Sequence, residues 1–427
     1  MIAANVGRTF LKAYNEKYGS RYTAKDFFIE KYYPLFFNHE KYMQWITNSP
    51  FVQGIKKGVP PSAKEREQKL NTLVEKISTN EADASIAIGY PSLDTTATTS
   101  GQITDLNLPL DKEDAYLSWI GSGLGIGVQG ALNILFDKPQ LLLHIFEGWE
   151  VYRNFLNKTP KLRGNQINTW NGQWIAHRYN QYNYDDNDKT ASFNGLDNMK
   201  DGGVEVKTQS WVAVMLGISH AFPDTQITGY VYNLGQTNTT IGFVPFRLHQ
   251  IKKPYELYIK YFGTTKKEQV EQLFGTAFGF TKACQMGSIG IHALEPKGLR
   301  EYIEKAKTPA YNTQDEESKI HFNTYQIWLL AMLNNEQLWD NAQEIATLLN
   351  NYAQTSEKGK KDKSNKVKFV LEAVSKKQFI DHLTTIVEDS ADKTDYAAKA
   401  KLVNSMPPDN VPYFLTLIRF QYATLNK

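Results

Sequence analysis

Between Ser192 and Trp211 the chain reads SFNGLDNMKDGGVEVKTQSW, and Asp197, Glu205 and Lys207 in it are residue types that can hydrolyse a phosphodiester with a divalent ion. That chemistry needs carboxylates that hold the ion without displacing all its waters, and a positive group near the attacking water or the phosphate. VEVKT is β-prone and DGG tolerates positive φ, so the segment predicts two short strands joined by a tight turn. Alternate residues of a strand share a face, which puts Glu205, Lys207 and Gln209 on one side and Val204, Val206 and Thr208 on the other. Asp197 lies across the turn. Asp197, Glu205, Lys207 and Gln209 are the candidate catalytic residues. Asp197, Glu205 and the Val206 carbonyl are the candidate metal ligands, and hard oxygen donors make Mg2+ the expected ion.

With 45 acidic and 48 basic residues in 427, an acid two positions before a base arises about five times by composition alone, so the triplet takes its meaning from its setting. In that setting the segment resembles the PD-(D/E)XK nuclease superfamily, the restriction-endonuclease-like fold, whose core hairpin carries an aspartate followed by an acid-x-lysine triplet. The match covers about twenty residues, and Leu196 stands where a proline commonly precedes the aspartate. The resemblance implies a central mixed β-sheet flanked by helices, two carboxylates binding magnesium, and a lysine assisting the water. It also implies an acid from the preceding helix, for which Glu147 and Glu150 are candidates. Asp185, Asp186 and Asp188 are rival upstream ligands, and Gln209 resembles the polar residue that follows the lysine in some branches.

Further along, HQIKKPYELYIKYFGTTKK interleaves lysine with tyrosine, the mixture that neutralises phosphates and stacks bases. Lys252, Lys253, Tyr255 and Lys260 are the candidate nucleic-acid contacts there, joined by Gln236 and Asn238 in the polar loop NLGQTNTT. The competing account is an amphipathic helix burying Tyr255, Leu257 and Tyr261 beneath a solvated lysine face. Gly125, Gly127 and Gly130 have dinucleotide-fingerprint spacing, but the preceding EDAYLSWI reads as helix rather than strand, so close packing is the better account. The eight histidines form no HxH or HExxH pair, which argues against zinc catalysis, and Cys284 on an apolar helix reads as packing.

The elements that must position these residues follow from periodicity. Residues 7–80 carry apolar side chains at helical spacing; ASIAIGY predicts a short strand before the Thr/Ser-rich DTTATTSGQ; and Pro139 suits the first turn of a helix through KPQLLLHIFEGWEVYRNFLN. Residues 161–250 are strand- and turn-rich, and beyond Lys266 amphipathic helices return, interrupted by the lysine-rich residues 356–368, which read as a linker. The expected fold class is α+β or α/β: a central mixed sheet flanked by helices, with a helical N-terminal region and a helical C-terminal bundle. The expected domains are residues 1–110, mainly helical; 111–265, the core with the hairpin; and 266–427, helical.

Composition bounds the rest. A 41% hydrophobic, 22% charged chain with 13% aromatics has the make-up of a folded globular protein, and a net charge of +3 leaves any polyanion surface to local clustering. A single cysteine rules out an intrachain disulfide and a thiolate zinc site, and the absence of an apolar signal core points to the cytoplasm. The one long uncharged run, residues 115–136, holds five glycines and is a poor membrane span, so no membrane partner is expected. The function expected is a Mg2+-dependent DNA endonuclease of prokaryotic restriction or defence type, with DNA or RNA as partner and assembly as a homodimer or a defence-complex subunit. The alternative is a non-catalytic nucleic-acid-binding subunit of such a complex, like the large subunit of a CRISPR effector.

Overall fold

The computed structural model describes residues 1–56, 58–79, 83–90, 110–180, 183–233, 240–263, 267–312, 314–355, 360–390 and 393–425. The chain divides into two units: Met1–Leu248 with Phe280–Ser288, and His249–Gly279 with Ile289–Lys427. The fold is α+β, with helices at both termini.

Unit 1 begins with α1 (Ile2–Tyr18), α2 (Ala24–Phe27), α3 (Tyr33–Phe36) and α4 (Ala63–Thr79), then α5 (Lys112–Gly123), whose N-terminus is capped by the Asp111 carboxylate accepting from the Glu113 N–H. Strands β1 (Ile126–Val128) and β2 (Leu132–Phe136) follow, then α6 (Pro139–Lys158) and α7 (Ile167–Arg178). Next come β3 (Leu196–Asn198), β4 (Val204–Val206), α8 (Trp211–Ala221), β5 (Gln226–Asn233) and β6 (Thr240–Arg247). Strands β1, β2, β5 and β6 form, in that order, a four-stranded sheet that is antiparallel throughout. β3 and β4 form a separate two-stranded ribbon.

Helix α1 packs against α5 and α6 within this unit, so the N-terminal helices share a core with the sheet rather than standing apart as residues 1–110. The approach is close because Gly7 faces Gly121: a Cβ on Gly121 would lie 1.8 Å from the Ala3 carbonyl oxygen. Around it sit Phe10, Phe27, Phe36, Trp119 and Trp149, all fully buried. ASIAIGY forms turns instead of a strand. Its polar groups are met by α5 side chains, since Trp119 Nε1 donates to the Ile86 carbonyl and the Ser118 hydroxyl accepts from the Ile88 N–H, so no ladder partner is needed. The Thr/Ser-rich stretch after it lies outside the described residues.

Unit 2 is helical at every regular element described. It takes α9 (Leu248–Phe262) from His249 onward and α10 (Lys267–Leu273); α11 (Phe280–Gln285) returns to unit 1. Then come α12 (Leu299–Glu304), α13 (Glu316–Leu333), α14 (Gln337–Gln354), α15 (Lys360–Glu372), α16 (Lys376–Asp389), α17 (Thr394–Ser405) and α18 (Val411–Leu425). Residues 249–263 thus belong with the helical unit, not with the sheet. From Lys360 the lysine-rich stretch is helix α15 rather than linker. Val367 and Val370, three apart, bury one side while Lys361 and Lys368 stay exposed, an amphipathic pattern that the run of lysines hides. Arg419 on α18 is buried and donates to the carbonyls of Leu371, Ala373 and Tyr302 and to the Thr416 hydroxyl, closing the C-terminal ends of α12 and α15. Among the described residues, no helix is long and apolar enough to cross a membrane.

Candidate functional site

The Ser192–Trp211 segment forms the expected hairpin. Gly202 adopts φ +79°, its N–H donates to the Met199 carbonyl, and the Met199 N–H donates to the Gly203 carbonyl. This is a three-residue loop closed by a left-handed glycine. Asp201 stiffens it: its carboxylate accepts from the Gly203 N–H and pairs with Arg163 at 2.6 Å.

In register, Leu196 faces Val206, Asp197 faces Glu205, and Asn198 faces Val204. Asp197 and Glu205 are therefore direct cross-strand partners on one face, with Cβ atoms about 5 Å apart. Lys207 joins them diagonally: its Nζ lies 3.3 Å from Asp197 Oδ1 and 3.2 Å from Asn194 Oδ1. Asp197 is exposed, Glu205 and Lys207 half-buried, and Val206 buried on the opposite face. The expected alternation ends at Lys207. Thr208 is exposed, and the Gln209 side-chain oxygen accepts from the Ser210 N–H at the start of α8 instead of extending the acid–lysine set.

Helix α7 fixes the hairpin in place, and the sequence offered little sign of it. The Gln166 side-chain oxygen accepts from the Val206 N–H, and Gln173 Nε2 donates to the Lys207 carbonyl at 2.9 Å. From the same helix Asn168 and Asn171 donate to the carbonyls of Ser122, Gly123 and Gly125. The outer edge of β4 is also held, because Val204 exchanges hydrogen bonds with Lys161 and Arg163. In NQINTWNGQW the only trace of this role is that amides alternate with tryptophans. A helix buried on most sides must spend its polar groups on neighbouring backbone. Gly125, Gly127 and Gly130 serve the same packing: α5, not a strand, precedes them, a Cβ on Gly127 would lie 2.9 Å from the Asn168 backbone, and Gly130 turns β1 into β2 at φ +88°.

The other candidate acids lie elsewhere. Glu147 sits with Lys17 at 3.0 Å and Arg178 at 3.6 Å; burial alone would raise its pKa, but the Lys17 hydrogen bond and the charges of His144 and Lys17 outweigh burial and lower it. Asp186 pairs with Arg178 at 3.5 Å, Asp185 and Asp188 accept from backbone N–H groups two residues on, and Glu150 is exposed on α6.

In unit 2 the candidate nucleic-acid lysines are all paired. Lys252 meets Glu256 at 2.7 Å, and Lys253 and Lys260 meet the two oxygens of Glu336 at 2.5 and 2.6 Å. Tyr255 and Leu257 are buried, as the amphipathic-helix account requires, so the Tyr255 ring offers no stacking face. Gln236 and Asn238 lie outside the described residues. Cys284 is buried, which pushes its thiol up to about 12, the behaviour of a packing residue rather than a nucleophile.

The arrangement can present two opposed carboxylates and an amine to solvent from a rigidly held ribbon. Hard oxygens with open surroundings suit an ion that keeps several waters, so Asp197 and Glu205 are the residues that could hold Mg2+. The chain matches no family model, no curated protein and no solved structure.

Proposed function

We propose that this protein is a non-cutting nucleic-acid-binding subunit of a defence complex, of the kind that large subunits of CRISPR effectors represent. The observation that carries this reading is the layout: an α+β unit followed in the chain by a unit whose described elements are all helical and include the lysine-rich α15. The test is binding of labelled single strands and duplexes of DNA and RNA with magnesium or with EDTA. Binding that survives EDTA without strand cleavage is expected, and no binding to any of them would overturn the reading.

A second reading, a magnesium-dependent endonuclease, is favoured by one observation: Asp197 and Glu205 face each other in register with Lys207 beside them. In this reading Asp197 and Glu205 would hold the ion, which when bound would supply an activated water, and Lys207 would orient that water or the phosphate. Plasmid cutting that needs magnesium and disappears in both Glu205→Ala and Lys207→Ala would establish it over the first.

A further inference from the structure

On β5 and β6, Tyr230 and Phe243 lie on the face opposite the buried Ile227, Val231, Val244 and Phe246; Tyr232 shares their face, but its hydroxyl accepts from Nδ2 of the buried Asn133 on β2. Tyr230 and Phe243 are register partners with ring centroids 5.3 Å apart, so these two rings form one surface. Phe243 is 67% exposed, and among the described residues it is the one large apolar side chain on these strands that is. Phe243 is thus held mostly in water, its ring in contact with Tyr230.

We infer that this open face is a stacking platform for the bases of single-stranded nucleic acid. Two adjacent rings on an antiparallel sheet suit one or two unstacked bases, a mode open to any sequence because every base has a π-face. Charge agrees. Arg247 lies four residues beyond Phe243 on the same face, about 13 Å along the strand; it is exposed and makes no ion pair among the described residues, so it is placed to meet the phosphates of a strand crossing the rings. A folded protein partner fits poorly, since two rings fall well short of the roughly 800 Å² per side of a stable protein interface. Duplex DNA fits poorly too, because its bases offer no free faces.

The inference rests on the nucleic-acid reading above but on different residues, so the two can fail separately. The test is fluorescence anisotropy with a labelled 20-nucleotide polythymidine or polyuridine strand and a duplex of equal length, for wild type, Phe243→Ala, Tyr230→Leu and Glu67→Ala. Phe243→Ala is expected to weaken single-strand binding roughly tenfold, within the range of stacking substitutions, and Tyr230→Leu by a similar factor. Glu67→Ala, at an exposed position on α4, should leave that binding unchanged, and the melting of Phe243→Ala should match wild type. Ultraviolet crosslinking of a 4-thiouridine strand should map to Tyr230 or Phe243. Wild type that binds neither strand nor duplex would overturn the nucleic-acid reading and the platform with it. Wild type that binds, with Phe243→Ala and Tyr230→Leu unchanged or with both losing strand and duplex equally, would overturn the platform alone.

Discussion

Replacing Gly172 with alanine sets two effects of opposite sign against each other. Gly172 lies inside α7, where alanine is favoured over glycine by about 1 kcal/mol, so propensity alone predicts a more stable protein. The new Cβ would lie 2.2 Å from the Gly127 carbonyl oxygen, more than about 1 Å inside ordinary van der Waals separation. Both sides of that contact are backbone: α7 is tied to the Gly123 and Gly125 carbonyls, and β1 is paired to β2, so neither yields by a rotamer change. Overpacking of this kind costs about 3 kcal/mol, the upper end of the usual range, leaving a net loss of about 2 kcal/mol. In a domain this large, that lowers Tm by roughly 4–8 °C. The shift should also reach the hairpin, because Gln166 and Gln173 travel with α7. Hydrogen exchange at the Val206 N–H, which donates to Gln166, should speed up in Gly172→Ala. A thermal melt monitored by circular dichroism reads the sign directly, and a Tm at or above wild type would refute the claim that α7 and β1 are in rigid backbone contact.

Arg419→Met in unit 2 keeps the bulk but strips the donors from three carbonyls beside a buried guanidinium; a loss of about 3 kcal/mol or more, read from the urea midpoint, is expected. Burial first, and then the Arg153 charge, lower His39 to about 4 from its ordinary 6.5. The folded protein therefore takes up this proton less readily than the unfolded chain. His39's contribution is complete above pH 6.5 and is lost as pH falls toward 4, so His39→Gln should show a smaller drop in urea midpoint between pH 7.5 and 4.5 than wild type. Asp197→Ala breaks only an exposed ion pair, so its Tm should stay within about 2 °C of wild type, a shift of at most about 0.5 kcal/mol.

The sequence by itself determined what depends on neighbours in the chain. DGG dictated the turn, because only glycine adopts φ +79° there without strain, and two-residue alternation around it put Glu205 and Lys207 on one face and Val206 on the other. Pro139, the β-prone runs of β5 and β6, and the helical spacing at both ends are local signals of the same kind. Other features came only from tertiary contact. That the charged ribbon stands apart from the four-stranded sheet follows from pairings made by Lys161, Arg163 and α7, tens of residues away. The lysine-rich run becomes a helix because Val367 and Val370 have a core to enter. Lys253 and Lys260 are neutralised by Glu336, some eighty positions on. An exposed ring such as Phe243 looks in sequence like any core phenylalanine, since strand periodicity says which residues share a face and not which face is covered.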